Sequence, residues 1–130
     1  MFRSILLILI ALTVVPVYSS KAAPSLLDTL LTKLQTVPSD TARTRILFDI
    51  STEYLFRNMD SARLYANKLK EHGIAINDKT AESKANLLLG IVCLNTKKLD
   101  SAAYFYEKAQ KLATAANDNL IIGRSIMGFG

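Results

Sequence analysis

The chain has 130 residues, enough for one ordinary domain, and half of them are hydrophobic. Its net charge of +5 is scattered over Arg43, Arg45, Arg57, Arg63, Lys68, Lys70, Lys84, Lys97, Lys98, Lys108 and Lys111 among others, without the basic stripe and interleaved aromatics that nucleic-acid binding requires. One cysteine, Cys93, excludes an internal disulfide, and one cysteine with one histidine is too few for a metal site.

Residues 1–19 read as a secretory signal peptide: Arg3, an apolar run from Ser4 to Val15, then Pro16 and the small residues around Tyr18. The run falls well short of the roughly 20 residues a membrane-crossing helix needs, so cleavage is favoured over the alternative of a retained span. An exported protein is expected, with a net charge of +4 once Arg3 is gone. No cysteine follows the run, which excludes a lipid anchor attached through a terminal Cys. Residues 20–24 form a linker. Residues 25–37 form an amphipathic capping helix, with Leu27, Leu30, Leu31 and Leu34 on one stripe and Ser25 with Asp28 as its start signal. Such a helix is too short to be stable alone and is expected to pack on the first of the helices downstream.

From residue 40 the spacing predicts helices over 40–56, 60–75, 80–95, 99–115 and 119–130, with polar corners at 73–79 and 113–119. Cys93 falls on a helix face expected to be buried, and Asp100 is expected to cap the helix beginning at 99. Shifting the sequence by 40 superimposes Asp60-Ser61-Ala62 on Asp100-Ser101-Ala102, Tyr65 on Phe105, Lys68 on Lys108, and Asn77-Asp78 on Asn117-Asp118. Two repeats, 40–78 and 79–118, and a truncated third, 119–130, result from that period. The first is weaker, with Ile46, Leu47, Ile50 and Tyr54 as its stripe, Ser51 in the place of Gly90 and a turn one residue shorter. Gly130 matches Gly90 in mid-helix, so the chain reads as the beginning or a fragment of a longer protein.

Leu89-Gly90, Ala102, Tyr106 and Ala109 stand at the spacing of the tetratricopeptide repeat, which this stretch resembles. Asn86, Cys93 and Thr114 depart from the residues that family often carries. The period of 40 exceeds the roughly 34 residues usual for that repeat and touches the HEAT and armadillo range, but the small-aromatic-small spacing favours the former. The resemblance implies an all-α solenoid of helical hairpins, in which Leu89, Gly90, Ala102, Tyr106, Ala109, Ala62 and Tyr65 are packing residues.

Nothing in the chain reads as catalytic machinery or a cofactor site. His72 stands alone near a helix end, where a cation favours the C-terminal dipole. Asp49 and Glu53 alternate with Arg45 and Arg57 at four-residue steps, which is a salt-bridge ladder before it is a carboxylate pair. Gly123, Gly128 and Gly130 lack the strand and spacing of a phosphate loop, and Tyr54, Tyr65, Phe105 and Tyr106 read as core.

Binding by shape remains. The resemblance implies a concave side lined by the first helix of each hairpin, with Lys84, Leu87, Ile91 and Asn95 nearest it; the alternative for the apolar pair is plain core. The leading expectation is an exported, non-enzymatic module that binds a protein or peptide, without cofactor. The region from 40 to 130 also resembles exported tetratricopeptide proteins of Bacteroidetes-type bacteria. That implies, as the alternative, the periplasmic sensory part of a membrane-bound histidine kinase or helix-turn-helix regulator. A third expectation is self-association through an uncovered last helix.

Overall fold

A computed structural model describes residues 23–129, and Phe129 is described as backbone only. The expected leader and the start of the linker lie outside these residues, as does Gly130. The described chain is all-helical: α1 (Leu26–Thr36), α2 (Asp40–Tyr54), α3 (Met59–Ala75), α4 (Lys79–Asn95), α5 (Leu99–Ala116) and α6 (Asn119–Phe129). Each helix packs on the next, and α4 touches both α2 and α6.

The ends of these helices are set by short-range hydrogen bonds. Ser25 and Asp28 form a reciprocal capping box at the head of α1, with the Asp28 amide 3.2 Å from Ser25 Oγ and the Ser25 amide 3.1 Å from the Asp28 carboxylate. Ser39, Asn58 and Asp78 cap α2, α3 and α4 by accepting from the amides of Ala42, Ser61 and Ala81. The corners after α3, α4 and α5 share one geometry. Asn77, Lys97 and Asn117 are left-handed, with φ of 55°, 59° and 61°. The next amide along the chain donates back into the helix in each case, from Asp78 to Gly73, Lys98 to Cys93 and Asp118 to Ala113, at 2.8, 2.8 and 2.9 Å. α3 ends at Ala75, as its spacing predicts, and α5 at Ala116, one residue beyond the expected end, before the chain turns.

One expectation fails here. Asp100 does not cap α5: the left-handed turn at Lys97 delivers the chain so directly that Lys98 becomes the capping position, and its side chain makes no cap bond. Asp100 sits in the first turn instead, where its charge still suits the helix dipole. Leu94 is exposed in the last turn of α4.

Three apolar clusters succeed one another along the chain. Leu27 and Leu30 of α1 close over Ile50, so α1 covers the first hairpin through its leucine stripe. Leu47, Ala66, Leu69, Ala81, Ala85, Leu88 and Leu89 join α2, α3 and α4. Leu87, Cys93, Ala102, Tyr106, Ala109, Ala113 and Ile121 join α4, α5 and α6. Small residues sit at the crossings, where they let helix axes approach closely. Two buried serines use that closeness: Ser51 Oγ donates to the Ala62 carbonyl and Ser83 Oγ to the Ala109 carbonyl, each at 2.8 Å, and each bond ties the first helix of a hairpin to its second. Tyr54 and Tyr65 stack at 5.5 Å between ring centres in the first hairpin.

Since Lys98 leaves the head of α5 without a side-chain cap, Lys98→Asp is expected to stabilise the protein by about 1 kcal/mol. The urea midpoint should rise with an unchanged m-value.

Candidate functional site

The first helices of the successive hairpins come together on one side of the molecule and leave a groove of about 420 Å³. Phe48 and Thr52 of α2, Leu87 and Ile91 of α4, and Arg124 and Met127 of α6 line it, with Tyr106 of α5 behind them. A narrower cleft of about 230 Å³ meets this groove at Phe48. Its walls are Thr41, Thr44 and Arg45 of α2, Asp78 at the cap of α4, and Thr80, Ala81 and Lys84 of α4. The Lys84 ammonium stands 5.7 Å from the centre of the Phe48 ring, at the junction of the two depressions.

The spacing of α4 explains why its residues share this side. Lys84, Leu87 and Ile91 recur at three and four residues, so they form one stripe along the helix. Leu87 is buried and belongs also to the cluster with Tyr106, while Ile91 is half-buried. Of the four residues expected to face a partner, Leu87 and Ile91 line the groove and Lys84 lies in the adjoining cleft. Asn95 does not join them: it is the last residue of α4, exposed and away from both linings. Phe48, Thr52, Arg124 and Met127 had no signal of their own, because a groove made by three helices depends on how those helices cross.

Tyr106 is held in place by glycine. A Cβ on Gly90 would lie 2.8 Å from its ring, and one on Gly128 would lie 2.7 Å from it. Burial pushes the Tyr106 hydroxyl above its usual pKa, and the neighbouring Cys93 adds to the effect.

The other polar residues singled out by the sequence have structural places. His72 Nε2 lies 3.2 Å from the Asp40 carbonyl oxygen, linking the end of α3 to the head of α2. Of the expected ladder, Glu53 of α2 and Arg57, in the turn beyond its end, pair at 3.9 Å, whereas Arg45 and Asp49 make no ion-pair contact. Asn86 is fully buried; its amide donates to the Glu82 carbonyl at 2.8 Å, and its Oδ1 has no hydrogen-bond partner. No group of three or more His, Cys, Asp or Glu that could hold a metal occurs among the described residues, and none of their helices is long and apolar enough to cross a membrane.

Comparison with family models, with curated proteins and with solved structures finds no match for this chain.

Asp49, beside the groove-lining Phe48, has a raised pKa, chiefly through burial; Glu53 pushes the same way, while Arg45 and Lys84 partly offset both. A carboxyl with a raised folded-state pKa favours folding below its ordinary value of 3.8 and loses that contribution as pH rises through the folded-state value. Asp49→Asn is therefore expected to be more stable than the parent at pH 7 and to lose that advantage by pH 3. Urea titrations at the two pH values check this, and an equal difference at both would contradict it.

Proposed function

We propose that this chain is a non-enzymatic binding module of an exported protein, built on hairpins of the tetratricopeptide type, and that it takes a segment of another protein or a peptide into the groove between α2, α4 and α6. The groove is the observation that carries this reading. Its walls combine apolar side chains that gain by leaving water, from Phe48, Leu87, Ile91 and Met127, with the cation of Arg124, and Lys84 adds a second cation in the adjoining cleft. That is a surface suited to an extended or helical segment with an apolar anchor, the anchor supplying affinity and the flanking charge setting register.

Two further features support it. The groove is lined from three separate hairpin helices, so its shape is held by helix packing and not by loops. The leader-like start of the sequence, Arg3 followed by the apolar run to Val15, supports export.

Peptides selected from a random library on the chain are expected to bind Ile91→Glu at least tenfold more weakly than the parent. Their affinity for Leu94→Glu, altered on the same helix but outside the groove, should be unchanged. Circular dichroism establishes that both variants stay folded. Selected peptides that bind Ile91→Glu as well as the parent would exclude the groove as the binding site.

A further inference from the structure

The cleft that meets the groove at Phe48 is lined by three threonines whose hydroxyls are not engaged by the fold. Thr29, Thr32, Thr52, Thr96 and Thr114 each donate to the carbonyl four residues back, at 2.8–3.2 Å. Thr41, Thr44 and Thr80, in the cleft, make no hydrogen bond with the described residues. Thr41 and Thr80 stand second in α2 and α4, so no helical carbonyl lies behind them. For Thr44 the matching acceptor is the Asp40 carbonyl oxygen, which His72 Nε2 already reaches at 3.2 Å, and Thr44 Oγ1 is shielded and unpaired.

Two cations stand among these hydroxyls. Arg45 makes no ion pair or hydrogen bond with the described residues, so its guanidinium is open to an acceptor. Lys84 is half-buried, its ammonium 5.7 Å from the centre of the Phe48 ring. Asp78 is the carboxylate of the lining, and its Oδ1 accepts from the Ala81 amide at 3.0 Å as the cap of α4. Two cations against one carboxylate leave the lining with a net positive charge.

We propose that this cleft is a binding site for a tetrahedral oxyanion, phosphate or sulfate, with Arg45 and Lys84 neutralising its charge and Thr41, Thr44 and Thr80 donating to its oxygens. At about 230 Å³ against about 420 Å³ for the groove, the cleft suits a compact group. The guanidinium, the ammonium and the three hydroxyls offer more donors than a carboxylate, which has about four lone-pair sites, can take up; four oxygens on one centre match them better. Threonine keeps two rotamers in a helix, so the Thr44 hydroxyl can turn from its shielded position toward the anion. Asp78 opposes the ligand, and asparagine in its place would keep the cap while removing the repulsion. The site does not depend on what the groove takes.

The test is a titration of the full chain with inorganic phosphate, sulfate, glycerol 3-phosphate and acetate at constant ionic strength, followed by the amide signals in NMR. Saturable millimolar shifts at Thr41, Thr80 and Lys84 are expected with phosphate or sulfate, and acetate should bind at least fivefold more weakly. Arg45→Gln and Thr44→Val should each weaken phosphate binding at least fivefold, Asp78→Asn should tighten it, and Ile91→Glu in the groove should leave it intact. Thr44→Val removes an unpaired hydroxyl and Arg45 is exposed, so both variants stay folded, which circular dichroism checks. Glycerol 3-phosphate binding tighter than phosphate would support a phosphate ester as the ligand, and the reverse order the free ion. Absence of saturable shifts overturns the proposal, as does acetate binding as tightly as phosphate, affinity indifferent to Arg45→Gln and Thr44→Val, or binding that Asp78→Asn weakens.

Discussion

The Tyr106 ring is wedged against the backbones of two other helices, and the rest of the molecule depends on that contact. Gly90 of α4 and Gly128 of α6 both face it so closely that a methyl group at either position would overlap the ring. A tyrosine buried in this way contributes apolar area on the order of 150–250 Å² and fixes the separation of the helices around it. Because α4 and α6 both rest on this one ring of α5, their stripes of groove residues are brought side by side. Tyr106 is thus at once a core residue and the back of the groove.

The first hairpin meets the same requirement with different side chains. Where the second has Gly90 facing Tyr106, the first has Ser51 at the place of Gly90 and Ala66 at the place of Tyr106. Volume lost from one helix is partly regained on the other, and the Ser51 hydroxyl uses the shorter distance to reach the Ala62 carbonyl. The corners show a similar division. Asn-Asp at 77–78 and 117–118 ends one helix with a left-handed residue and caps the next with a carboxylate, while Lys97-Lys98 keeps the backbone path and forgoes the cap.

The helices were legible because their apolar residues recur at three and four, and because serine, asparagine and aspartate mark their starts. Their observed ends lie within about two residues of those expectations, inside the usual boundary error. The place of Asp100 is not legible for a definable reason: a cap depends on the dihedral angles of the turn before it, and a lysine in the left-handed region at position 97 carries no signature. Gly128 carries no packing signature in the sequence, because the 40-residue period pairs it with Leu88. The α4 wall of the groove is legible, since Leu87 and Ile91 share a stripe with Lys84. The remainder, from Phe48 to Met127, requires the relative placement of α2, α4 and α6, which no local pattern encodes. Asn95 continued the stripe in sequence, but by then α4 has passed the groove.

The central claim is that one aromatic ring seated on glycine sets the spacing of α4, α5 and α6, and a double-mutant cycle on Gly90→Ala and Tyr106→Leu tests it most directly. In the parent, Gly90→Ala should cost about 1–3 kcal/mol of unfolding free energy through overpacking, despite the better helix propensity of alanine. In the Tyr106→Leu background most of that cost should vanish, giving a coupling of at least about 1 kcal/mol. Alanine at position 90 that is neutral or stabilising in the parent, or equally costly in both backgrounds, would contradict the account.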